Sequence, residues 1–220
     1  MFLMKRSSLA RLLCRPASAV GLIAFLLLSQ PLQARFTLEQ VMSSPFPTQL
    51  IAAEKGSRIA WVFDQRGARN VWVADAPAFA ARQVTHYFSD EGMPIASLRL
   101  TPDGRTVVYV RGSEVNKKGE VADPTSSVKQ PHQEIWTADV DKGEPRLLGT
   151  LECDEEGCED VRISRDGQRA VWAAKGQLWI APVSGSEKAR QLTFVRGDNR
   201  GPQWSPDCVS LPNSYTTIKL

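Results

Sequence analysis

The sequence predicts an all-β protein, a partial β-propeller of four-stranded antiparallel blades with about three blades and the start of a fourth. Three observations predict it. The segments LIAAEKGSRIAWVF (Leu50 to Phe63), LRLTPDGRTVVYVR (Leu98 to Arg111) and VRISRDGQRAVWAA (Val161 to Ala174) share one layout, and PQWSPD (Pro202 to Asp207) begins a fourth copy. Each is a short apolar strand, a tight turn ending in Gly, then a strand dense in Val, Ile and aromatics; self-similarity of this kind marks a repeat architecture. A second phrase follows each time: NVWVADA at Asn70, EIWTADV at Glu134 and QLWIAPV at Gln177. It leads to a basic residue and a Leu or Val in ARQVT, PRLLG and ARQLT. The third observation is spacing: Asp166 and Asp207 lie 41 positions apart, within the roughly 40–45 residues of a four-stranded propeller blade.

The elements follow in order. Gly56 and Gly104 are 48 positions apart and Gly104 and Gly167 are 63, so the second unit carries an insertion. The segment Gly112 to Gln133 supplies it: polar, holding Pro124 and Pro131 and lacking an apolar period, it reads as a long loop between two blade strands. In the Asp-Gly turns of the second and third units, Gly supplies the positive φ of a tight hairpin and Asp hydrogen-bonds the turn backbone. The second strand of each unit places an aromatic at one position (Trp61, Tyr109, Trp172), and the third strand does likewise (Trp72, Trp136, Trp179). Recurrence at equivalent places makes these residues inter-blade packing rather than a ligand platform. Runs such as VVYV lack clean alternation because the middle strands of stacked blades are covered on both sides.

The first 34 residues contain Lys5, Arg6, Arg11 and Arg15, no acid, and the apolar run GLIAFLLL before SQPLQA. This is the layout of a secretory signal peptide, residues 1–34, cut between Ala34 and Arg35. The rival reading, an uncleaved membrane anchor, needs about 20 apolar residues. Cys14 precedes the apolar core, against a lipoprotein cysteine. Removing four basic residues turns a formal charge of +3 into −1, so no basic stripe argues for nucleic acid or a membrane surface. The chain is expected in the periplasm or outside the cell.

Residues 35–207 then form an incomplete propeller. Rings hold about four to eight blades, whereas the fourth unit stops in its first turn: Cys208 stands where Gly is expected, and VSLPNSYTTIKL matches no second strand. A truncation or a change of reading frame near Asp207 explains the non-matching tail, 208–220; a natural short form is the alternative.

The residues from Phe36 to Asp207, above all FTLEQVMSSPFPTQL, RIAWVFDQRGARNVWVADAP and the insertion's ADPTSS, resemble the N-terminal propeller of secreted bacterial serine peptidases of the prolyl oligopeptidase family, the acylaminoacyl-peptidase and dipeptidyl-peptidase-like members. The resemblance implies a propeller that restricts a following α/β-hydrolase domain to peptides and small unfolded substrates. That domain holds the Ser, Asp and His. This chain contains no Gly-x-Ser-x-Gly nucleophile elbow, and its two histidines, His86 and His132, lie in a turn and in the insertion. No catalytic residue, cofactor or metal is expected in it. The alternative class is a non-enzymatic periplasmic TolB-like propeller that binds peptides or protein partners, although that family places a separate α/β domain before its first blade.

Two further features concern sites. Cys153 and Cys158, in LECDEEGCEDV, read as a local disulfide in an exported chain; a zinc site is the lesser alternative, because the gap exceeds the usual spacing and no second ligand pair follows. Between them lie Glu155 and Glu156. Dipeptidyl peptidases of the resembled family use a propeller Glu pair to hold the substrate's free amino terminus. The resemblance therefore implies that role for Glu155 and Glu156, against the plain reading of an acidic solvated loop.

Overall fold

The computed structural model describes residues 36–113, 116, 118, 120–123, 131–151, 160–197, 199, 201–205, 210–212 and 217–219. The chain divides into two compact units, Met1–Val41 and Met42–Leu220. Thr37 starts a short helix, α1 (Leu38–Met42). Its hydroxyl accepts from the Gln40 amide at 3.1 Å while Gln40 Oε1 accepts from the Thr37 amide at 2.9 Å. This reciprocal capping box, T-x-x-Q, explains a helix that the strand-centred sequence reading did not anticipate.

The second unit is a partial propeller. Its first blade comprises β1 (Phe46–Ala52), β2 (Arg58–Gln65), β3 (Ala68–Asp75) and β4 (Arg82–Gln83). The second comprises β5 (Ile95–Leu100), β6 (Thr106–Arg111), β7 (Gln133–Asp139) and β8 (Pro145–Leu151). The third comprises β9 (Arg162–Ile163), β10 (Arg169–Ala174), β11 (Gln177–Pro182) and β12 (Arg190–Gln191). Each is a four-stranded antiparallel meander in chain order. A final antiparallel pair, β13 (Ser210–Pro212) and β14 (Thr217–Lys219), follows, and residues 201–205, where the fourth unit begins, run without strand structure.

Register equates the blades position by position. Trp61 pairs with Trp72, Tyr109 with Trp136, and Trp172 with Trp179, so the recurring aromatics are cross-strand partners at one level of every blade. Side chains alternate across a strand, and in β6 the two faces go to two cores. Val107 and Tyr109 join Ala60, Val62, Val71 and Val73 of the first blade. Val108 and Val110 join Ala170, Trp172 and Ala174 of the third. The hydrophobic core therefore sits between blades, and the near-continuous apolar strands are explained by double coverage.

The Asp-Gly turns stack in the same direction. Gly104 and Gly167 have φ of 72° and 74°, and each amide donates at 2.8 Å to the carbonyl that opens its turn, Thr101 and Ser164. Asp103 accepts from the Thr101 hydroxyl at 2.7 Å and the Arg105 amide at 3.1 Å. Asp166 repeats this with Ser164 and Gln168. A Cβ on Gly104 would meet Ala53 at 3.3 Å, and one on Gly167 would meet Pro102 at 3.2 Å. Glycine thus serves both the turn and the close approach to the preceding blade.

Candidate functional site

In each blade the first-to-second and third-to-fourth turns lie at one end, and the second-to-third connections and inter-blade links lie at the other. The connections that follow Arg111 and Leu151 both leave from this second end. The first strand of each blade starts from this end, and here the structure adds a feature with no sequence signal. Both β1 and β5 break register, between Thr48 and Ile51 and between Ala96 and Arg99. In each a non-glycine residue adopts positive φ: Gln49 at 57° and Ser97 at 48°. These bulges occupy one repeat position, and the pairing of Arg162 with Val171 assigns Asp160 to it in the third blade.

The bulge position links neighbouring blades. The Ser97 hydroxyl donates to Asp160 in a short bond, and Arg99 donates to the other Asp160 oxygen at 2.7 Å. Asp160 stands where the chain reaches the third blade, so this pair of bonds ties the end of the preceding connection to β5. Arg162, at the position equivalent to Arg99, is exposed.

A second polar cluster lies at the same end between the first two blades. The Tyr87 and Tyr109 hydroxyls are 2.8 Å apart. Arg111 stacks 4.3 Å over the Tyr87 ring and pairs with Glu91. Burial pushes the Tyr109 phenol far above its ordinary range, reinforced by Tyr87; Tyr87 is raised too, chiefly by burial, against the opposing bond to Tyr109. Both phenols are therefore neutral donors and acceptors at physiological pH, fixing the segment that leads out of β4.

The sequence-predicted site residues divide sharply. Glu155, Glu156, Cys153 and Cys158 lie outside the described residues, as do Cys14, Cys208 and the signal segment 1–34. His86 and His132 are both exposed and lie outside the strands. Among the described residues no group of three or more His, Cys, Asp or Glu side chains could hold a metal ion, and no helix is long and apolar enough to cross a membrane.

No protein-family model matches the chain, and no curated protein matches it either. Solved structures do. A prolyl endopeptidase superposes with a TM-score of 0.53 at 12% identity, over 81% of this chain and 27% of its own. A putative dipeptidyl aminopeptidase IV from Bacteroides ovatus gives 0.51 at 8% identity, over 74% and 29%. An oligogalacturonate lyase in complex with manganese gives 0.50 at 17% identity, over 80% and 48%. The aligned parts are propellers, and the chain spans less than half the length of each of these proteins. Peptidases and a lyase thus share the blade architecture, so the likeness establishes the fold and leaves the chemistry to other arguments.

Proposed function

We propose that this chain is the substrate-gating propeller portion of an exported serine peptidase acting on peptides, with no catalytic machinery of its own. The observation that carries the reading is the sequence resemblance from Phe36 to Asp207, strongest over Phe36 to Pro77 and at ADPTSS, in a chain whose fold is a propeller. In the parent protein an α/β-hydrolase domain supplies Ser, Asp and His, and the propeller end from which the connections after Arg111 and Leu151 leave limits access to peptides. The sequence supports the division of labour: the strained strand-to-helix turn that exposes a serine nucleophile requires Gly-x-Ser-x-Gly, which does not occur here. Under the same reading, residues 1–34 direct export, Cys153 and Cys158 close a disulfide, and Glu155 and Glu156 bind the substrate's amino terminus. The chain leaves that loop through Asp160, whose carboxylate is held by Ser97 and Arg99, an anchor suited to fixing a binding loop.

The test is to raise an antibody against residues 42–205 and capture the native product from the source cells after treatment with a serine-directed fluorophosphonate. A labelled polypeptide whose peptides include this sequence and lack residues 1–34 is expected, while the 220-residue chain alone hydrolyses no peptide above background. Capture of an exported propeller with no labelled serine anywhere in its polypeptide would overturn the peptidase reading and assign the chain to the binding propellers.

A further inference from the structure

The junction between the first and second blades contains a guanidinium slot. Arg58 opens β2 opposite Asp75, and its guanidinium donates to both Asp75 oxygens, at 2.6 and 3.1 Å, and to the Gly104 carbonyl of the next blade at 2.8 Å. Beside it, Arg82 reaches across to the Val140 carbonyl at 2.5 Å and to Asp141 at 2.9 Å. A planar donor fork gripping a carboxylate from one side and a carbonyl from the other is a specific arrangement for guanidinium.

The second junction repeats the carboxylate and the neighbouring arginine of this slot without the arginine that fills it. Thr106 stands at the Arg58 position, opposite Asp139, which stands at the Asp75 position. Arg146, paired with Thr137 as Arg82 is with Val73, reaches the Ser184 carbonyl at 3.3 Å. Beside Thr106 and Asp139 there is a cavity of about 170 Å³, lined also by Thr137, Lys142, Glu144 and Arg146 among others. At ~30 Å³ of liquid volume per water, that is room for about six waters. One oxygen of Asp139 already accepts the Asp141 and Lys142 amides, at 2.9 and 3.0 Å. The other oxygen has no such amide partner.

We propose that this cavity between the second and third blades binds an alkylguanidinium group, which takes the place that Arg58 fills in the preceding junction. The template is internal to the molecule: the same backbone register places a carboxylate at the same repeat position, and a side chain four bonds shorter leaves the space. Arg146 does not occupy it, because it holds the position of Arg82. Lys142 and Arg146 are the cations whose charges act on Asp139, so Lys142 competes with the ligand, and Glu144 offsets part of that charge. The ligand is either a small free guanidine or an arginine side chain of a peptide; the site's chemistry is the same for both. The inference is independent of the peptidase reading and survives its failure.

Calorimetric titration of the full chain with methylguanidinium, with methylammonium at matched ionic strength as the control, tests it, using concentrations far below those that denature. Saturable methylguanidinium binding is expected, with methylammonium weaker by about tenfold or more because it offers no planar fork. Asp139→Asn keeps an acceptor for the turn amides and should weaken binding about tenfold or more. Lys142→Ala should tighten it. Thr106→Arg should abolish it and raise the melting temperature by roughly 2–4 °C, the shift expected of about fivefold in the folding equilibrium for a chain of this size. Acetyl-Gly-Arg-amide then separates the two sources, since both support the site: tighter binding than methylguanidinium selects a peptide side chain, and equal or weaker binding selects the free guanidine. No saturable binding to the folded wild-type chain, or binding indifferent to Asp139→Asn and Thr106→Arg, would overturn the proposal.

Discussion

The two blade junctions are built on one backbone pattern and held by different physics. Between the first and second blades the outer end is ionic: Arg58 with Asp75, and Arg82 with Asp141. The inner end carries the neutral tyrosine pair beside Arg111. Between the second and third blades the contacts at the positions of Arg58 and of the tyrosine pair are apolar or neutral, and the ion pair there, Arg99 with Asp160, lies where the chain enters the third blade. The Thr137 hydroxyl donates to the Val183 carbonyl at 2.8 Å. Trp172, 1% exposed, lies so close over Gly149 that an added Cβ would stand 2.5 Å from its ring. The comparison teaches that repeat position fixes where a contact falls, whereas the residue there decides which conditions break it.

The largest expected effect is at the second junction. Trp172→Ala removes a fully buried indole and should destabilise the chain by about 3–5 kcal/mol, measured by urea unfolding; a loss below ~1 kcal/mol would mean that the junction does not depend on it. Gly149→Ala forces a methyl group against the same ring. A cost of roughly 1–3 kcal/mol is expected, and relief of that cost in a Gly149→Ala, Trp172→Leu double variant would locate the clash.

The first junction should respond to solvent instead. Arg58→Met removes the fork but keeps the stem's packing. Because Asp75 is 42% exposed, the cost is limited to about 1 kcal/mol, and it should shrink as salt is added. An unchanged cost in 1 M salt would argue against an ionic latch.

Smaller still are the pH effects, and their signs differ by junction. The Arg58 bond holds the Asp75 carboxyl below its ordinary value. At Asp103, Asp139 and Asp166 burial pushes upward, but the turn's hydroxyl or amide donors outweigh it and the net shift is downward. A carboxyl lowered on folding contributes stability that is complete above its unfolded pKa near ~4. That contribution is lost as pH falls through the lowered folded value. Tyr87 and Tyr109 are raised, so their contribution is complete below ~10 and is lost as pH climbs beyond it. Acid weakens turns in both junctions, whereas alkali acts on the tyrosine pair of the first, and Tyr109→Phe should reduce that alkaline sensitivity to the part that burial of Tyr87 supplies.

Sequence revealed the repeat because packing between blades imposes a pattern at fixed places: Trp61, Tyr109 and Trp172 recur, and register pairs them with Trp72, Trp136 and Trp179. It also showed the basic residue of the fourth strand. What Arg82 and Arg146 reach was not legible, because each donates to a main-chain carbonyl of the following blade, which any residue could supply. Gly149 carries no turn signal; it stands where β8 breaks register against β7, and Trp172, 23 residues on, lies close over it. The bulges at Gln49 and Ser97 escaped because neither residue type announces positive φ. Leu50 shows the limit of equivalence: it is 70% exposed, whereas Leu98 and Val161, at the same repeat position, are fully buried against a preceding blade. Of the candidate site, the end from which the connections after Arg111 and Leu151 leave follows from topology, but the Asp160 anchor needed three dimensions.

The most direct test of two chemically distinct junctions within one set of equivalent blades is hydrogen exchange with peptide-level resolution, comparing 20 mM and 1 M sodium chloride at neutral pH. Salt at the higher level shortens the screening length to about 3 Å. The account expects peptides covering β2 and β3 to lose protection while those covering β10 and β11 keep theirs. Equal loss in both, or loss first in β10 and β11, would contradict it.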